Sequence, residues 1–131
     1  MKVVALDFGR ARTGVAVSDP TGTVARPLCV VERAATEDGL ARLATLIAEE
    51  QAERVVVGLP LTLRAERGEQ ARETESFAEA LRAVTEVPVV TFDERFTTDL
   101  AEQVPSRTAE DARAAAHLLT SYLAWSSGAP A

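Results

Sequence analysis

Val3 to Asp7 is a short run of apolar and β-branched residues, and Thr13 to Ser18 alternates Val15 and Val17 with small residues. This pattern predicts two strands joined by a tight turn over Gly9 to Arg12. Thr21-Gly22-Thr23 turns the chain into a third strand near Val24 to Val31. Connections this short force an antiparallel meander. From Thr36 to Glu50 the period changes: Leu40, Leu43, Ala44 and Ile47 fall at i, i+3, i+4 and i+7, an amphipathic helix with acidic residues in its first turn. Arg54 to Leu59 is a continuous valine run closing at Gly58-Leu59-Pro60, typical of a strand buried on both faces. A strand reached through a helix runs parallel to its neighbour.

A polar stretch rich in Arg and Glu follows from Thr62 to Glu75, its first half expected to be a mobile loop, and leads into a helix carrying Phe77, Ala78 and Leu81 that closes before Pro88. Val87 to Phe92 predicts a fifth strand, Thr98 to Val104 a short helix, and Asp111 to Trp125 a final helix. Ala115, Leu118, Leu119, Tyr122 and Leu123 form the apolar side of that last helix. The order β-β-β-α-β-α-β-α-α predicts an α/β domain over residues 1–125, followed by a flexible tail at 126–131. Its five-stranded mixed sheet is antiparallel over strands one to three, parallel at strands four and five, and covered by helices on both faces.

Composition narrows the class. With 131 residues, 47% of them hydrophobic and 26% charged, the chain matches one ordinary globular domain. No apolar run approaches the roughly 18 residues that span a bilayer, and Met1-Lys2 leads straight into the first strand with no cleavage site. The expectation is a cytoplasmic protein with no membrane partner. A lone Cys29 excludes an internal disulfide framework and a Cys-cluster zinc site, and a single His117 argues against a His-based one, so any metal must be held by oxygen. The net charge of -6 weighs against a nucleic-acid partner. Against that, 13 of the 14 basic residues are Arg, whose planar fork suits phosphate, although high-GC coding also favours Arg. Carboxylates around a metal are moreover neutralised when the cation binds. Global charge therefore does not decide the partner.

The carboxylates are more informative. Asp7 ends the first strand, Asp93 and Glu94 follow the fifth, and Asp111 is expected to open the final helix. Strands one, four and five run parallel in the predicted topology, so Asp7 and the Asp93-Glu94 pair emerge at the same edge, where open α/β sheets carry their sites. Carboxylates converging there repel each other unless a hard cation such as Mg²⁺ or Mn²⁺ sits among them. Two such ions about 4 Å apart stabilise both the attacking water and the leaving oxygen of a phosphodiester. Metal-assisted phosphoryl hydrolysis is the chemistry this suggests. Each acid also has a plain reading. Asp7 before Gly9 suits a turn, Thr108-Ala109-Glu110-Asp111 fits a helix cap, and Asp93-Glu94-Arg95 suits a solvated charge cluster. Together these leave the shared edge unexplained. His117, six residues after Asp111, falls on another helix face and suits packing, and Cys29 suits the core.

Leu6-Asp7-Phe8-Gly9-Arg10-Ala11-Arg12-Thr13-Gly14-Val15, Val57-Gly58-Leu59-Pro60, Asp93-Glu94-Arg95-Phe96-Thr97-Thr98 and Asp111-Ala112-Arg113-Ala114-Ala115 resemble the YqgF family, also called RuvX. The match runs from the first strand to the last helix. The Asp-x-Gly turn is shared with actin-like ATP-binding proteins, whereas the Asp-Glu-Arg-x-Thr-Thr element is specific. The resemblance implies an RNase H-like fold and a Mg²⁺- or Mn²⁺-dependent nuclease. It also implies metal ligands and catalytic carboxylates at Asp7, Glu94 and Asp111, with Asp93 as the alternative to Glu94. Arg12 and Arg95 match arginines of the family motifs and suit phosphate contacts, to which the loop arginines Arg64, Arg67 and Arg72 add a nucleic-acid path. The substrate implied is structured RNA, namely the 5′ end of pre-16S rRNA. Holliday-junction resolution on branched DNA is the alternative, and it requires a two-fold homodimer. A nucleotide-binding actin-like module is a more distant alternative, since one subdomain lacks the half that closes over a nucleotide. An inert partner-binding domain conflicts with the intact carboxylate set. Ala11 stands where the family usually has a basic residue, with Arg10 one place earlier. The segment after Pro60 has only the late Gly68, and lysines common before Asp111 are missing. These departures bear on the nucleic-acid path more than on the metal chemistry.

Overall fold

Turns too short to cross over leave the first three strands no arrangement but antiparallel, and the helices after them return the chain to the same end of the sheet each time. In the computed structural model, which describes residues 1–61, 68–94 and 107–127, this yields eight elements. They are β1 (Val3–Asp7), β2 (Arg12–Ser18), β3 (Ala25–Glu32), α1 (Glu37–Glu49), β4 (Arg54–Leu59), α2 (Glu69–Arg82), β5 (Val89–Asp93) and α3 (Arg107–Ser126). The sheet order is β3-β2-β1-β4-β5. β1 is antiparallel to β2, with Leu6 opposite Val15 and Asp7 opposite Gly14. β1, β4 and β5 are parallel, so their carboxyl ends share one edge. β3 pairs with β2 through an irregular step, Cys29 facing Val15 and Pro27 facing Ala16. Pro27 lacks an N–H and is tolerated because β3 is an edge strand.

Period-two alternation divides the strand residues between two cores. On one face Val4, Leu6, Val15, Val17, Val55 and Val57 pack with Leu43 and Ile47 of α1 and Phe77, Ala78 and Leu81 of α2. On the other, Val3, Ala5, Ala16, Val56 and Phe92 pack with Ala115, Leu118, Leu119, Tyr122 and Leu123 of α3. Each large side chain so buried contributes about 1.5–3 kcal/mol. α1 starts where Thr36 caps it, its hydroxyl accepting from the Gly39 N–H at 3.1 Å.

Several expectations need correction. α2 begins at Glu69, so much of the polar stretch is helical: Ala71, Thr74, Ala78 and Leu81 hold one buried stripe while the charged residues face outward. β5 starts after Pro88 rather than at Val87. α3 already includes Arg107, so Asp111 lies a turn inside it and the capping pattern from Thr108 to Asp111 does not mark its start. α3 also runs through Ser126, the first residue of the expected tail. The loop expected over residues 62–67, the short helix expected over 98–104 and the tail end at 128–131 lie outside the described residues. Among the described residues, no helix is long and apolar enough to cross a membrane.

Candidate active site

Alternation continued to the strand ends brings one set of residues to the α3 side. Asp7 follows Val3 and Ala5, Arg12 and Gly14 precede Ala16, and Gly58 follows Val56. Glu94, the residue after β5, comes back to Asp7, and the two carboxyls share a hydrogen bond. Asp111 comes down onto them from α3, near enough for its charge to act on Asp7.

Two glycines make the convergence sterically possible. A Cβ at Gly14 would lie 1.8 Å from the Asp111 carbonyl oxygen, so α3 rests on the bare backbone of β2 just where it carries its acid. A Cβ at Gly58 would lie 2.6 Å from Glu94 Oε1 and 3.0 Å from its Cγ, so Gly58 leaves the volume that the Glu94 side chain fills. The sequence motifs contain both glycines but do not by themselves reveal this role. The signal was a glycine inside an otherwise β-branched strand, which marks a close approach.

The electrostatics follow from crowding. Burial raises the Asp7 carboxyl, the hydrogen bond with Glu94 opposes this, and repulsion from Asp111 adds to the rise. Glu94 is pushed up to about 7 by burial, by repulsion from Asp7, by the hydrogen bond with Asp7 and by the charge of Asp93. The pair therefore behaves as two carboxyls holding one proton between them. Asp111 is balanced differently. Its Oδ2 lies 3.0 Å from Arg12 Nε, but without an aligned hydrogen bond, leaving that buried oxygen attracted yet not saturated.

The remaining candidates are distributed as follows. Asp93 ends β5, and alternation directs it away from the face of Phe92 while its charge still reaches Glu94. Arg72 is exposed on α2, across the sheet from the carboxylates, beside a cleft that Phe8 and Arg10 also line. Arg10, noted in the sequence only as a displaced basic residue, clasps Glu73 and reaches Glu69 at 3.4 Å, tying the β1–β2 turn to α2. Arg64, Arg67 and Arg95 lie outside the described residues. His117 is half-buried on α3, and Cys29 is half-buried with its thiol raised by burial, which suits packing rather than nucleophilic attack. Among the described residues, no three His, Cys, Asp or Glu side chains already stand close enough to hold one ion together.

The sequence matches the family model RuvX, described as Holliday junction resolvase, over residues 1–125. A protein of Chloroflexus aggregans named "Putative pre-16S rRNA nuclease" is 42% identical over 130 residues, covering 92% of each chain. One of the same name from Desulforudis audaxviator is 40% identical over 132 residues, covering 94% of each. Among solved structures, T. thermophilus RuvC in complex with Holliday junction substrate superposes with a TM-score of 0.62 at 19% identity, covering 98% of this chain and 96% of that one. That likeness shows the RNase H-like fold. Carboxylates at the ends of parallel strands, on that fold and within a family match spanning nearly all of the sequence, lead to one assignment: the chain belongs to the RuvX family of nucleases.

Proposed function

We propose that the protein is a divalent-metal-dependent nuclease that hydrolyses phosphodiester bonds of structured RNA and trims the 5′ end of pre-16S rRNA. The observation that carries this reading is the meeting of Asp7 and Glu94 at the shared strand edge, with Asp111 laid over them through Gly14. The relatives named for that reaction support the substrate.

The donor set fits a hard ion. It is all oxygen, it is crowded enough to retain a proton in place of a cation, and it includes a buried Asp111 oxygen with no aligned donor. Asp7, Glu94 and Asp111 would hold Mg²⁺ or Mn²⁺, with Asp93 adding charge nearby. A bound divalent ion supplies Lewis-acid stabilisation of charge on the phosphoryl oxygens and lowers the pKa of water at the site. The protein's own groups do the rest. Asp7 and Glu94, which share one proton, would have to release it to hold the ion, and the Asp111 oxygen without an aligned donor would join them, leaving the Arg12 fork to contact the phosphate beside the carboxylates. Arg95, next in sequence to Glu94, together with Arg64, Arg67 and Arg72, extends the contacts along the strand.

A second reading, resolution of four-way DNA junctions, draws on the family description and would require two copies of the site facing one junction. Cleavage assays with Mg²⁺ or Mn²⁺ on a pre-16S-type RNA, single-stranded DNA and a four-way junction separate the two. Preferential cutting of the RNA is expected. Paired symmetrical nicks in the junction with intact RNA would assign the second reading, and no metal-dependent cutting of any of the three would overturn both.

A further inference from the structure

The next residue after Asp7 faces the other way. Asp7 points to the α3 side, and Phe8, alternating, packs against the core on the α1/α2 side, at the same carboxyl edge of β1. There a cleft of about 600 Å³ opens between the β1–β2 turn and α2, within the usual volume range of small-molecule sites. Phe8 and Phe77 form its aromatic wall, their rings stacked at a centroid distance of 4.3 Å with an interplanar angle of 15°. Phe77 is fully buried and Phe8 only half-buried, so Phe8 is the ring of the pair that reaches the cleft. Ala35 and Ala80 keep the walls low, and Arg10, Arg72, Glu69 and Glu73 form the rim.

We propose that this cleft seats one unpaired nucleobase of the substrate strand, beside the nucleotide whose phosphate lies at Asp7 and Glu94. The inference rests on the nuclease reading and names what that nuclease requires of its RNA. Three observations point to a base rather than a phosphate or a peptide. The first is charge: two arginines on the rim are matched by two glutamates, and Arg10 is already committed to both of them, so the cleft is neutral where a phosphate site would be cationic. The second is shape and chemistry: a rigid ring with a polar rim accepts the π-face of any base, while the carboxylates accept from ring N–H and exocyclic amino groups. The third is place: the cleft and the carboxylates lie on opposite faces of one strand end, so a strand laid across the sheet edge presents a phosphate to one side and the neighbouring base to the other. A base inside a duplex is stacked on its neighbours and cannot enter. The site therefore selects RNA with an unpaired or easily unstacked nucleotide next to the cut.

The test uses Asp7→Asn protein, expected to hold RNA while cutting it far more slowly than the parent, and RNA hairpins carrying 2-aminopurine at successive positions around the junction of paired and unpaired segments. One position is expected to change its fluorescence on binding as the base stacks on Phe8, with neighbouring positions unaffected. Phe8→Leu, which keeps the apolar contact with Phe77 but removes the ring, should abolish that signal and weaken binding by about 5- to 150-fold, the range for loss of one stacked base. Ala80→Trp, which fills the cleft from α2 and leaves Phe8 in place, should do the same. Circular dichroism and thermal unfolding of both variants establish that they fold. With Asp7 restored, both should raise KM more than they lower kcat. If no position responds, or if folded Phe8→Leu and Ala80→Trp proteins bind and cut as the parent does, the cleft has another occupant and the proposal is wrong, while the nuclease reading stands. A protein that binds none of these RNAs, and cuts none when Asp7 is present, would overturn both.

Discussion

The same strands show different residues to their two helical layers. Towards α1 and α2 they present Val4, Leu6, Val15, Val17, Val55 and Val57, and towards α3 they present Val3, Ala5, Gly14, Ala16, Val56 and Gly58. The first set buries branched side chains and meets large partners in Leu43, Ile47, Phe77 and Leu81. The second gives up part of that burial and lets α3 approach until the Asp111 carbonyl sits where a Gly14 side chain would be. One layer is built for stability, and the other trades some stability for placing acids. Burial raises both Asp7 and Glu94, with the charge of Asp111 on α3 adding to the rise at Asp7 and the charges of Asp7 and Asp93 adding to it at Glu94.

The comparison breaks first at Asp7. Asp7→Asn should lower metal-dependent cleavage by about 10³-fold, equivalent to about 4 kcal/mol of transition-state stabilisation, while unfolding stays cooperative. Losing one member of a repelling group should stabilise the metal-free protein by about 1 kcal/mol. Rate measurements beside urea titrations check both, and full retained activity would remove Asp7 from the site.

Next come substitutions that set one face against the other. Leu43→Ala should cost about 2–5 kcal/mol of stability and leave the specific activity of the folded protein unchanged. Gly14→Ala should cost about 1–3 kcal/mol by overpacking and lower activity as well, because Asp111 moves with the helix. Activity falling equally in the two variants, measured well below their unfolding midpoints, would show that the faces are not separable.

Metal should act on the α3 face alone. An ion that binds only the folded state at a hundredfold excess over Kd adds about 2.7 kcal/mol. Thermal unfolding with Mn²⁺ should show this in the parent and in Leu43→Ala. Glu94→Gln and Asp111→Asn should show little of it. Equal shifts in all four proteins would locate the ion elsewhere.

The smallest effect is a slope. Glu94 is held near 7 in the folded protein against about 4.5 when unfolded. Between those values the native state keeps a proton that the unfolded chain has released. Metal-free stability should therefore fall as pH rises from about 4.5 to 7, by about 2 kcal/mol after solvent screening, and then level off. Asp7, also raised, adds to the slope in the same direction. Urea titrations across this range should show the slope in the parent and lose most of it in Glu94→Gln.

Periodicity made the strands and the apolar side of α3 legible, since an alternating Val or a Leu118-Leu119 step is itself the signature of a buried face. It failed at the start of α2, where only Ala71 and Thr74 mark the inner stripe and both are too small to stand out among Glu and Arg. It failed again at Asp111, where a local capping pattern imitated a helix start inside a helix. The carboxylate edge was legible because parallel connectivity alone brings the ends of β1 and β5 together.

What the sequence determined by itself was the order of elements, the parallel or antiparallel sense of each pairing and therefore which acids share an edge, because these depend on periodicity and loop length. Tertiary structure alone decided that Glu94 rather than Asp93 meets Asp7, that Arg12 sits against Asp111, and that Gly14 and Gly58 are spacers. Each of those depends on the distance between two elements far apart in sequence. That distance is set by the side chains packed between them, and no local pattern encodes it.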